Sequence, residues 1–230
     1  MKLMVLDRDF NSIAPLDVYE SFIWTDRYSR CGDFEIYTSP SEELLSILQL
    51  DYYIWNQDSD HLMIIEDRKI ETDVEEGNKL LVTGRSLESI LERRIVWNQT
   101  ILNGNLQNGI QKLLEENVIS PTDTARKING FKFVASTDSR ITSLTVDTQF
   151  TGDNLYDVII SLCEDNSLGW KVVLDDQYDF AFSLYVGEDR SYDQDELSYV
   201  VFSPKFDNIS SSNYLESPKT HKNVALIAGE

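Results

Sequence analysis

The chain has 230 residues, 41% hydrophobic and 11% aromatic, enough to bury a substantial core in one or two domains and too apolar for a disordered chain. Its 40 acidic and 20 basic residues give a net charge of −20, which argues against a module that grips nucleic-acid phosphates or an anionic membrane. The acidic excess is spread evenly over both halves of the chain, and no apolar run approaches the roughly 20 residues needed to cross a bilayer.

MKLMVLDRDFNS meets Asp7 and Asp9 after one short apolar run, too brief and too acidic for a signal peptide, so it reads as a first strand of a protein made in a cytoplasm. DFEIYTS alternates Phe34 and Ile36 with Glu35 and Tyr37, the period of a half-buried strand. SPSEELLSILQL supplies a helix start, with Ser39 as the expected N-cap, Pro40 at the first helical position and Glu42 closing a capping box. Leu44, Leu45 and Leu48 form the apolar stripe of that helix. DYYIWNQDSDHLMIIEDRKIET reads as two β-rich runs around a polar turn, and Gly77-Asn78 marks a tight turn before KLLVTG. The order of strand, helix, hairpin, strand and helix predicts an α+β protein built on a small antiparallel β-barrel or curled sheet with helices at its rim.

From about Gln99 the texture changes. LQNGIQKLLEEN sets Leu106, Ile110, Leu113 and Leu114 at helical spacing, and NLYDVIISLCEDN does the same with Leu155, Val158, Ile159, Leu162 and Cys163. FKFVAST and SRITSLTV between them read as strands, so an inserted α/β domain is expected. WKVVLDD and YDFAFSLYVG return to alternation around a hairpin turn, and the acidic loop EDRSYDQDE leads to a further strand, YVVFSP. The last run, KNVALIAGE, is strand-like, and either a longer polypeptide or another chain is expected to complete its sheet.

No group of residues in the chain rises to a catalytic constellation. GRSLESILERR has one glycine where a phosphate cradle needs several, and no GxSxG elbow for a serine nucleophile. It reads instead as architecture: Gly84 ends a strand, Ser86 caps a helix, Leu87, Ile90 and Leu91 face the core, and Arg93 and Arg94 lie near the helix end that favours cations. Asn56, Asp58, Asp60 and Asp67 fall at calcium-loop positions, yet His61 stands where the loop glycine belongs, so a polar hairpin turn is the better reading. The acidic clusters Asp175-Asp176 and Asp193 to Glu196 could pair carboxylates for glycoside hydrolysis, but nothing selects one pair. Cys31 and Cys163 lack any metal spacing, and His61 and His221 cannot make a metal site alone, though a Cys–His dyad stays open. Trp24, Trp55 and Trp97 could stack on a saccharide, although lone aromatics more often pack. No catalytic residue, metal or cofactor is assigned.

Three stretches, WTDRYSRCGDFEIYTSP, MIIEDRKIETDVEEGNKLLVTGRSLESILERRI and VVFSPKFDNISSSNYLESPKTHKNVALIAGE, occur in an order that resembles the prophage and siphophage tail proteins of Gram-positive bacteria. The N-terminal part of that family is similar to the baseplate hub of contractile tails. The resemblance implies a virion structural protein at the tail tip, forming a homotrimeric ring that continues the tail tube. Residues 1–98 with 171–200 would form a first tube domain, 99–170 an inserted domain, and 201–230 the start of a second tube domain. It implies contacts with distal tail, tail-tube and tape-measure proteins, with DNA passing unbound through an acidic lumen, and no membrane. Tail-tip proteins of this group often carry cell-wall hydrolase domains, so a peptidoglycan endopeptidase or glycosidase is the alternative.

Overall fold

The computed structural model describes residues 2–73, 77–209, 211–218 and 224. Contacts divide the chain into two units, residues 1–187 and 188–230.

The first unit begins with seven antiparallel strands: β1 (Leu3–Leu6), β2 (Ser12–Leu16), β3 (Ser21–Thr25), β4 (Asp33–Thr38), β5 (Tyr53–Asn56), β6 (Leu62–Asp73) and β7 (Gly77–Ser86). They form one sheet in the order β2-β1-β5-β6-β7-β4-β3. The alternation expected in DFEIYTS is present, with Phe34 and Ile36 buried and Glu35 and Tyr37 half-exposed. At the start of β6 alternation vanishes, because both faces are covered. Met63 and Ile65 join one core, inside the curl, with Val5, Ile36, Ile54, Leu80 and Val82. Leu62 and Ile64 point the other way, into a second core shared with the helices that follow.

No sheet among the described residues closes into a barrel, which corrects the barrel expectation. β2 and β3 are the two edges, and although only residues 17–20 separate them in the chain, neither pairs with the other. β2 carries Pro15, which has no N–H to give to a ladder.

Helix α1 (Glu42–Ile47) follows β4, but its N-cap is Ser41, whose hydroxyl accepts from the Leu44 N–H at 3.1 Å. The expected cap, Ser39, donates to the Glu20 carboxylate instead, because Pro40 falls before the helix and shifts its start by two residues. Gly77-Asn78 already belongs to β7, with Gly77 at φ 79° opposite Asp73; residues 74–76 lie outside the described set.

A 3-10 helix, Leu87–Arg93, leaves β7 and leads to β8 (Thr100–Asn105), α2 (Leu106–Leu114), β9 (Phe131–Val134), α3 (Ser139–Thr142), β10 (Thr145–Phe150), α4 (Leu155–Asp165), β11 (Gly169–Leu174) and β12 (Phe180–Tyr185). β8 pairs antiparallel with β10; β12 lies between β11, antiparallel, and β9, parallel. The expected α2 and α4 stripes are buried, and the caps are Asn105 and Asn154, each accepting from an N–H of the first turn. SRIT is a helical turn rather than part of a strand, because Asp138 caps it at the Arg140 N–H.

In the second unit Gln194 accepts from the Leu197 N–H and donates back to its carbonyl, and Tyr192 meets Tyr199 edge-on. YVVFSP forms no strand there: it finds no ladder partner among the described residues, and Phe202 stands 70% exposed. The expected KNVALIAGE strand lies outside the described residues, apart from Val224.

Candidate functional site

The stretch from Gly84 to Arg94 sits where the curled sheet meets the second core, and its polar groups serve as joints. Gly84 does not end the strand. It pairs mid-strand with Phe34 and Ile65, opposite the irregularity at Ile65/Asp67 in β6. A Cβ there would lie 1.8 Å from the Ile64 carbonyl oxygen and 2.7 Å from the Phe34 ring, so only glycine fits. Arg85 grips both oxygens of Glu66, at 2.7 and 3.0 Å, and reaches Glu92 at 2.6 Å, which holds the guanidinium firmly protonated. Ser86 stands at the expected N-cap position, but its hydroxyl accepts from the Gly32 N–H at 2.7 Å and makes no cap bond. Leu87, Ile90 and Leu91 are buried as expected.

Glu88 is the residue that sequence reasoning missed. Only 1% exposed, it accepts from the Val172 N–H at 2.9 Å and so ties the 3-10 helix to β11. His61 Nδ1 approaches the same oxygen at 3.1 Å, close enough for charge attraction though not aligned as a hydrogen bond. Burial draws the His61 pKa down, but the Glu88 carboxylate outweighs it, and the net shift is upward. No spacing signal marks Glu88, because its partners come from turns and strands far away in sequence.

A second joint is the loop before β4. The Tyr156 hydroxyl accepts from the Cys31 N–H at 2.9 Å and donates to its sulfur at 3.0 Å. Arg30 clasps Glu164 through two nitrogens, and Trp170 Nε1 donates to the Ser29 carbonyl at 2.7 Å. Together these bonds seat the loop on α4 and β11.

The remaining sequence candidates are dispersed. Cys31 and Cys163 are both free thiols whose pKa burial raises, that of Cys163 to about 12, so neither forms a thiolate readily near neutral pH. Cys31 is partnered by Tyr156 and His61 by Glu88, and His221 lies outside the described residues. Asn56 takes the Asp58 N–H in the β5–β6 turn, Asp60 reaches Lys171 at 2.9 Å, and Asp67 lies on β6. Among the described residues no group of three or more His, Cys, Asp or Glu is placed to hold a metal ion. Asp175 organises the β11–β12 turn by accepting from the Gln177 and Asp179 N–H groups and pairing with Lys132, while Asp193 to Glu196 stand in a loop of the second unit. Trp24 donates to Asp26 beside Phe34, Trp55 lies on β5, and the Trp97 ring receives the Arg126 guanidinium at 5.2 Å.

One concave feature stands apart from these joints. A cavity of about 380 Å³ opens beside the end of the 3-10 helix, where Arg8, Arg93 and Arg94 line it together with Asp51. Ile64, Ile90, Ile128 and Phe180 supply the apolar part of its lining.

Fold and site thus define a mixed α+β scaffold whose buried polar groups are spent on joining segments. The fold is similar to that of the prophage tail protein gp18 from Listeria monocytogenes EGD-e, at a TM-score of 0.53 and 11% identity over 80% of this chain. Tail protein from Neisseria meningitidis MC58 matches with a TM-score of 0.48 and 11% identity, over 80% of this chain and 49% of that one. The E. coli c3393 protein, a component of the type VI secretion system, matches at 0.47 and 13% identity, over 80% and 49%. The chain spans about half the length of these proteins, 50% in the case of gp18. No curated protein sequence matches it. Residues 2–230 match the family described as Siphovirus ReqiPepy6 Gp37-like protein, and the chain belongs to that family.

Proposed function

We propose that the chain is a structural protein of a siphophage tail, acting at the tail tip as a baseplate-type hub. The observation that carries this reading is membership of a siphovirus family over residues 2–230, joined to a fold like that of a prophage tail protein. Three copies would form a ring that prolongs the tail tube, docked to distal tail, tail-tube and tape-measure proteins within the virion. Residues 1–98 with 171–200 would supply the first tube domain as a curled wall piece, 99–170 the insertion, and 201–230 the start of a second tube domain. The net charge of −20 suits a conduit past which DNA slides without sticking.

A non-enzymatic role agrees with the use of the candidate nucleophiles and carboxylates as joints. Ser86, Cys31 and Glu88 are all engaged in bonds between elements. No observation favours the cell-wall hydrolase reading. The test is the solution mass of the full natural polypeptide by analytical ultracentrifugation. A mass of three protomers is expected; a monomer at every concentration reached would overturn the ring.

A further inference from the structure

We infer that the arginine-lined cavity binds an acidic peptide segment of a partner protein, one carboxylate meeting Arg93 and Arg94 while a neighbouring apolar side chain rests on Ile90, Ile128 and Phe180. In a chain with twice as many acids as bases, three guanidiniums line one cavity. The one carboxylate facing them, Asp51, is already taken by Arg8 at 2.9 Å.

Arg93 is exposed, and its guanidinium meets no acceptor among the described residues. Arg94 is half-buried, and its nitrogens reach only backbone carbonyls, that of Arg126 at 2.6 Å and that of Arg93 at 2.9 Å. Burial, then the charges of Arg126 and Arg93, lower its pKa, the mark of a cation crowded by cations without a compensating anion. A place in the last helical turn accounts for Arg93 by itself. It does not account for Arg8 and Arg94 lining the same cavity, nor for the uncompensated Arg94.

The chemistry of the occupant follows from the walls. A phosphate needs no aliphatic surface beside it, so a bare anion leaves the apolar residues of the cavity unused. Ile64, Ile90, Ile128, Tyr53 and Phe180 instead offer apolar area beside the charge, which suits a carboxylate with a leucine or phenylalanine next to it. Arginine forks match carboxylate geometry in two-pronged pairs. The inference stands on this cavity alone and does not depend on the ring.

The test uses the full chain and the acetylated, amidated peptide Asp-Glu-Phe-Asp-Glu-Leu, followed by methyl NMR and calorimetry. Shifts at the Ile90 and Ile128 methyls are expected, with affinity falling at least about tenfold in Arg93→Glu, the worth of one charge-assisted hydrogen bond. Arg93→Gln, a milder change at an exposed position, should weaken binding in the same direction with an unchanged melting temperature. The amide version, Asn-Gln-Phe-Asn-Gln-Leu, should bind weakly. The inference is overturned if the acidic peptide moves neither methyl at about 1 mM, where even weak sites fill. It is equally overturned if both Arg93 variants bind like the parent, if the amide peptide binds as well, or if inorganic phosphate displaces the peptide at equal concentration.

Discussion

Removing the Glu88 carboxylate tests the claim that the buried polar groups are joints. In Glu88→Ala the Val172 N–H loses its acceptor and His61 its counter-charge, both inside the protein. An orphaned buried donor costs about 1–3 kcal/mol, and breaking a buried charged pair about 3–5 kcal/mol in all. At roughly 2–4 °C per kcal/mol for a chain of this size, the melting temperature should fall by about 6–20 °C. Glu88→Gln keeps an oxygen for Val172 and should lose half of that or less.

The same pair makes a signed prediction about pH. The folded pKa of His61 is raised above its ordinary 6.5, so the pair's charge contribution is fully present below pH 6.5 and is lost as pH rises through the folded value. Calorimetric melting curves of the parent should therefore drop, relative to those of Glu88→Gln, as pH rises from 6.5 through the raised His61 value. Parallel curves for the two proteins, or a Glu88→Ala variant melting within a degree or so of the parent, would refute the reasoning.

Three further outcomes are expected. Gly84→Ala should cost at least about 3 kcal/mol, the upper end for overpacking, because the clash is with a backbone oxygen that cannot rotate away; urea unfolding measures it. Ser41→Ala should cost about 0.5–2 kcal/mol as a lost cap, whereas Ser39→Ala, at an exposed hydroxyl, should stay within about 0.5 kcal/mol; the reverse order would restore Ser39 as the cap. Both cysteines should react with a thiol reagent at pH 7 only as fast as the protein opens, and immediate labelling of the native chain would contradict their burial.

Period and capping chemistry made most elements of the first unit legible from sequence. β4, α2 and α4 are local: their own side chains carry the alternation or the stripe, and each buries it where the pattern says. What escaped depends on distant partners. The short β2 and β3 owe their ladders to β1 and β4, and YVVFSP has the composition of a strand without a neighbour to make it one. Gly84 looked like a strand end because glycine punctuates chains, whereas here it admits the close approach of β6. The arginine cavity was half visible. Arg93 and Arg94 stand out as a pair, but Arg8 and Phe180 reach them only through the fold.

The short link between the two sheet edges has a mechanical consequence. Five chain steps from Leu16 to Ser21 reach at most about 18 Å, so β2 and β3 cannot splay apart however the sheet is pulled. Curvature is thus enforced by a covalent tether, as a drawstring holds a pouch.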